Sequence, residues 1–138
     1  VRFIELMPFT NVAQLVPASE LRQHVELLGS LEPCLPPTGN GPARCYRLPQ
    51  AKGTVGFISP ITEPFCSSCN RMRLTSNGRL CPCLLADTGV DLKELLRSNA
   101  SAQEMKGLIL KAVALKPEHH HLVEGVVPTK RRMSQTGG

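Results

Sequence analysis

Three cysteines, Cys66, Cys69 and Cys83, bracket an Arg71-Met72-Arg73 triplet and an Asn77-Gly78 pair. Asn-Gly between two runs that alternate apolar and polar residues is a strong signal for a two-residue β-hairpin turn. With Ser76 facing Arg79 across that turn, Met72 faces Cys83, and the returning strand carries Cys83 back to the loop that holds Cys66 and Cys69. The expected product is an antiparallel hairpin that closes a three-thiolate site.

Three thiolates are an incomplete shell for a structural zinc, which takes four ligands in a closed tetrahedron, but they suit a metal or cluster with one open position. Cys81 keeps a second reading alive, because Cys66, Cys69, Cys81 and Cys83 together can close a zinc ribbon that binds nucleic acid or protein. Against it, Cys81 and Cys83 point to opposite faces of a regular strand, although Pro82 between them can bend it. Inert buried thiols are the third reading. The arginines carry their own pair of alternatives. Two residues apart on a strand, Arg71 and Arg73 project from the same face, which makes them either a clamp for phosphate oxygens or an ordinary solvated face.

At 138 residues and 41% hydrophobic, the chain is long enough for one core and too short for two comfortable ones. No apolar run approaches the roughly 20 residues of a membrane span, and no signal or transit peptide opens the chain. Val1 reads as a truncation point. Six cysteines fit a secreted disulfide scaffold by number, whereas the Cys-x-x-Cys clustering fits reduced, metal-bound thiols in a cytoplasm, the reading that the family resemblance given below also favours. A net charge of +5 suits an anionic partner. Aromatic content of 4% and no Trp leave few platforms for stacking bases, which argues against nucleic acid.

Along the chain, residues 1–6 read as a short buried strand. Ser19 is placed to cap a helix running to about Gly29, with Leu21, Val25 and Leu28 on one face. A Pro- and Gly-rich loop is expected over residues 33–42. Residues 44–48 and 54–59 read as strands that join the cysteine hairpin in an antiparallel sheet, the whole region spanning 44–86. Helices follow over 91–116: Asp91 caps a short one ending near Ser98, and Ser101 with Glu104 has the spacing of a capping box. Met105, Leu108, Ile109, Ala112 and Val113 then form an apolar stripe. Lys116-Pro117 ends that helix, and residues 117–138 read as an extended polar tail. His119, His120 and His121 on that exposed stretch are expected to be structural, as are Cys34 and Cys45.

The segment Gly53-Thr54-Val55-Gly56-Phe57-Ile58-Ser59-Pro60, the run from Phe65-Cys66 to Arg73, the spacing to Cys83, the opening Arg2-Phe3-Ile4-Glu5-Leu6-Met7-Pro8 and the terminal Gly137-Gly138 together resemble the GTP 3',8-cyclase family. These are radical S-adenosylmethionine (SAM) enzymes that open molybdenum cofactor biosynthesis. The resemblance spans essentially the whole chain and looks like the C-terminal domain of such an enzyme. It implies an α/β fold: residues 1–8 as the last strand of an incomplete (β/α) barrel, then an α+β domain with an antiparallel cluster-binding hairpin and C-terminal helices. Two departures stand out. Cys81 occupies a position where the family usually has a non-ligand residue, and Phe9-Thr10-Asn11 replaces the Gly-Asn of many relatives.

Carried over residue by residue, the resemblance implies that Cys66, Cys69 and Cys83 hold a [4Fe-4S] cluster. It implies GTP contacts for Arg71, Met72 and Arg73, and SAM contacts for Arg2 and Met7. Gly137 and Gly138 would reach into the active site, a task that residues without side chains suit. The family's radical source, a second cluster on a Cys-x3-Cys-x-x-Cys motif in an N-terminal radical SAM domain, has no counterpart among these residues. In the implied reaction a radical takes hydrogen from C3' of GTP, and that carbon joins C8 of the guanine. Expected partners are GTP, the N-terminal half, a second copy of the chain, and cyclic pyranopterin monophosphate synthase downstream, with no nucleic acid and no membrane.

Overall fold

Short apolar runs punctuated by Pro and Gly dictate short strands, and the chain forms them in two separate sheets. In the computed structural model, residues 1–7, 15–39, 41–122 and 127–129 are described. They divide into two compact units, Val1–Phe65 and Cys66–Gly138. The single core expected from chain length is therefore corrected to two small ones.

The first unit holds β1 (Arg2–Ile4), α1 (Ala18–Glu26), β2 (Glu32–Cys34), β3 (Arg44–Arg47) and β4 (Val55–Ile58). Its sheet has the order β1-β4-β3-β2. β1 runs parallel to β4, whereas β3 is antiparallel to both β2 and β4. The long connection needed by any parallel pair is filled here by α1, β2 and β3. Phe57, 1% exposed, anchors the core: Phe3 stacks on it at 5.6 Å, and Tyr46 meets it edge-on at 5.8 Å. The Arg22 guanidinium lies over both the Tyr46 and Phe57 rings.

Several local expectations are corrected in this unit. The first strand is shorter than 1–6 and is not buried, since Val1, Ile4 and Leu6 are exposed. Helix α1 starts one residue before Ser19. Its N-cap is Pro17, which offers no side-chain acceptor; the Ala18 N–H is instead taken by the Glu5 carboxylate at 3.0 Å, from thirteen residues away. The helix stops at Glu26, and Leu28 is exposed. Pro33 and Cys34 belong to an edge strand rather than a loop, the sheet position that tolerates proline best.

The second unit begins with a 3-10 turn at Cys66–Ser68 and continues with β5 (Arg73–Leu74), β6 (Arg79–Cys81), β7 (Val90–Asp91), α2 (Lys93–Arg97) and α3 (Ala102–Ala114). β5, β6 and β7 form an antiparallel sheet of their own, so the single sheet expected over 44–86 splits between β4 and β5. Asp91, at the end of β7, accepts the Lys93 N–H at the start of α2. The capping box at Ser101 and Glu104 forms in full. Helix α3 packs on β6 and β7, burying Ala112 with Val90 and Leu92, and Met72, Leu80, Met105 and Leu108 close around them. Ile109 and Val113 stay exposed, so the apolar stripe is narrower than its spacing implies. His120 is buried while His119 and His121 are exposed, which corrects the reading of this triplet as uniformly exposed. Among the described residues, no helix is long and apolar enough to cross a membrane.

Candidate functional site

The site is built on the turn between β5 and β6. Thr75 faces Arg79, with its N–H donating to the Arg79 carbonyl at 2.9 Å, and Gly78 N–H donates back to the Thr75 carbonyl at 2.9 Å. The loop is therefore Ser76-Asn77-Gly78 rather than Asn77-Gly78 alone. Gly78 takes φ +86°, the left-handed position of a three-residue hairpin. The physical reason is Thr75: its buried hydroxyl accepts the Arg79 N–H at 2.9 Å, which holds Thr75 opposite Arg79 and makes the loop one residue longer. Arg73 consequently faces Cys81 and Leu74 faces Leu80. The expected pairing of Met72 with Cys83 is off by one.

Arg73 lies in β5, whereas Arg71 precedes it, so the strand expected to carry both arginines holds only Arg73. Both are half-buried. Met72 packs its side chain against the Val90, Leu92 and Ala112 core.

Cys66 opens the 3-10 turn, and the Cys69 N–H donates to its carbonyl at 3.1 Å, a single tight turn between the two thiols. Cys83 follows β6, and its sulfur accepts the Leu85 N–H at 3.4 Å. Burial pushes the Cys83 thiol up, and the neighbouring Cys66 and Cys69 push it further against the relief given by Leu85 N–H and Lys116. Cys69 moves the other way. Burial raises it, but the Arg71 N–H and the charges of Lys116 and Arg71 outweigh burial and hold it below the ordinary thiol range. Among the described residues, no three His, Cys, Asp or Glu side chains are arranged to hold a metal ion.

Cys81 closes strand β6. It is 1% exposed, and its sulfur sits where a Cβ added to Gly89 would meet it at 3.3 Å. That places it against the β7 side of the sheet, as a packed core thiol. In the first unit, Cys34 and Cys45 face each other across β2 and β3 as free thiols.

Lys116 completes the site and was not legible in the sequence. Its ammonium donates to the Arg71 carbonyl at 2.8 Å, to the Pro82 carbonyl at 2.9 Å and toward the Cys69 sulfur at 3.7 Å. Arg2 lies in β1, paired with Gly56, and Met7 is half-buried beyond that strand. Both belong to the first unit. Gly137 and Gly138 lie outside the described residues.

Comparison with known proteins adds a family. Residues 1–122 match the profile described as Molybdenum Cofactor Synthesis C. A GTP 3',8-cyclase of Pelotomaculum thermopropionicum is 48% identical over 144 residues, covering 100% of this chain and 44% of the relative. Those of Desulforamulus reducens and Moorella thermoacetica are 46% and 44% identical with the same coverage. The chain thus spans less than half the length of these curated relatives. With the profile extending from the first strand past the last helix, the chain belongs to the Molybdenum Cofactor Synthesis C family.

Proposed function

We propose that this chain forms the GTP-holding, cluster-bearing part of a GTP 3',8-cyclase, converting GTP to (8S)-3',8-cyclo-7,8-dihydroguanosine 5'-triphosphate together with an N-terminal radical SAM half. Cys66, Cys69 and Cys83 hold a [4Fe-4S] cluster in this reading. When bound, that cluster supplies an iron with an open position at which the guanine can be seated. Arg71 and Arg73 hold the triphosphate, with Met72 shaping the loop between them. Arg2 and Met7 contribute to the SAM site, and Gly137-Gly138 reach into the assembled active site. The product passes to cyclic pyranopterin monophosphate synthase, and the assembled cytoplasmic enzyme is a candidate homodimer.

The chemistry asks mainly for positioning. A hydrogen must leave ribose C3', and that carbon must then join C8 of the same nucleotide, so the ribose has to be held between a fixed base and a fixed triphosphate. An all-thiolate set at one end and two guanidinium groups beside it at the other supply that restraint. The net charge of +5 favours the approach of a nucleoside triphosphate.

The observation that supports the reading is that one ammonium, Lys116, donates both toward the Cys69 sulfur at 3.7 Å and to the Pro82 carbonyl beside Cys83 at 2.9 Å, which brings the two cysteine-bearing arms together. Anaerobic reconstitution with iron and sulfide tests it. The protein should turn brown, Cys83→Ala should fail to load, and Cys81→Ala should load as the parent does. Bound zinc lost equally from both variants would replace the cluster with a closed zinc ribbon.

A further inference from the structure

We propose that Lys116 is a positioning residue that clasps the two arms of the cysteine site and sets the charge felt by whatever those cysteines hold. This rests on the reading of Cys66, Cys69 and Cys83 as cluster ligands.

The geometry begins at helix α3. That helix packs against β6 and β7, and just past its end the Lys116 N–H closes onto the Val113 carbonyl at 3.0 Å. Pro117 follows immediately, so the helix cannot continue and Lys116 is fixed at its exit. From there the side chain reaches residues 34 to 47 positions back in the chain.

An ammonium has three protons to donate and no capacity to accept. Each proton has a partner here: the Arg71 carbonyl, the Pro82 carbonyl and the Cys69 sulfur. Arg71 and Cys69 belong to the arm entering β5, and Pro82 stands next to Cys83 on the arm leaving β6. One side chain therefore ties together the two stretches that carry the ligands, beyond the end of the β5–β6 ladder at Arg73 and Cys81. Because it also grips the Arg71 carbonyl, it orients the backbone of a residue assigned to the triphosphate.

The placement has an electrostatic consequence. Three thiolates bring a concentrated negative charge, and a half-buried cation beside Cys69 is the nearest compensation that α3 provides. The reduction potential of a cluster follows net charge and hydrogen bonding to its sulfurs, and outer partners of ligands typically change metal affinity by about ten- to a hundredfold. A Lys that merely filled space would affect neither potential nor retention.

The test compares the parent protein with Lys116→Met and Lys116→Arg. In the metal-free state, Lys116→Met should speed amide exchange around Cys69 and around Cys83 by about tenfold, as expected for losing charged hydrogen bonds. After loading with iron and sulfide, it should give up iron to a chelator about tenfold faster and shift the potential to a more negative value. Lys116→Arg, which keeps the charge but not the reach into both carbonyls, should restore the potential more fully than the retention. Unchanged potential and retention in a loaded Lys116→Met protein would overturn the proposal. A parent protein that takes up no iron and sulfide would instead sink the cluster reading, and the amide exchange of the metal-free proteins would then decide the clasp by itself.

Discussion

Glu5 is the residue on which the first unit turns, and it sits inside an apolar run, Phe3-Ile4-Glu5-Leu6-Met7. It is 2% exposed, a costly place for a carboxylate unless hydrogen bonds satisfy it. Four donors do so: the Ala18, Ile61 and Thr62 N–H groups at 3.0 Å each, and the Thr62 hydroxyl. Burial pushes the carboxyl up, but the Thr62 hydroxyl and the three N–H groups outweigh it and hold Glu5 below the ordinary carboxylate range. A carboxyl depressed in the folded state stabilises it above the unfolded value of about 4.3, and that contribution fades as pH falls through the lower folded value. Glu5→Gln should therefore cost about 2 to 3 kcal/mol at neutral pH, because the amide turns a donor toward donors. Denaturant melts at pH 7 and pH 3 check this: the parent and the variant should differ at the first and converge toward the second. A lone carboxylate within an apolar run is a local feature of the sequence, but its partners at residues 61 and 62 have no local signature. The spacing of Cys66, Cys69 and Cys83 is local and can be read directly, whereas Lys116 is joined to Cys69 and Pro82 only by the docking of α3.

At the scale of elements, turn chemistry decided register. Asn77-Gly78 correctly announced a reversal, but the Thr75 hydroxyl chose between a two-residue and a three-residue loop, and sequence pattern does not rank a side-chain hydrogen bond against a turn type. Gly78 is required there twice over. Its φ is +86°, and an added Cβ would stand 2.7 Å from Lys93 Cβ and 3.4 Å from Lys93 Cα, so backbone as well as side chain would have to move. Gly78→Ala should cost about 1 to 3 kcal/mol and raise amide exchange in β5 and β6 while leaving the first unit's melting unchanged. The capping box at Ser101 was readable because both partners lie within one turn. Strand β2 was not, since Glu32-Pro33-Cys34 lacks alternation and takes its conformation from pairing with β3. The cap expected at Ser19 failed for a related reason: Glu5, distant in sequence, already supplies the acceptor one residue earlier.

At the scale of the molecule, the chain holds two units, and the proposed cluster ligands Cys66, Cys69 and Cys83 all fall in the second. Four residues before Cys66 stands Thr62, and Cys34 and Cys45 have no partners at Cys-x3-Cys-x-x-Cys spacing, so these residues provide no second cluster from which a radical can start. Reconstituted and supplied with SAM and reductant, the 138-residue chain should bind GTP without converting it. An N-terminal half from a family member such as the relative 48% identical to this chain, added in trans, should restore some turnover, because on the proposed reading the cluster ligands and the triphosphate arginines all lie in this chain. The restored turnover should require Gly137 and Gly138, whose assigned task exists only when the active site is assembled. Deleting them should spare GTP binding and lower the yield of cyclised nucleotide seen by chromatography. Conversion by the isolated chain would overturn the division of labour, since hydrogen abstraction at C3' would then need a radical source that none of its side chains supplies.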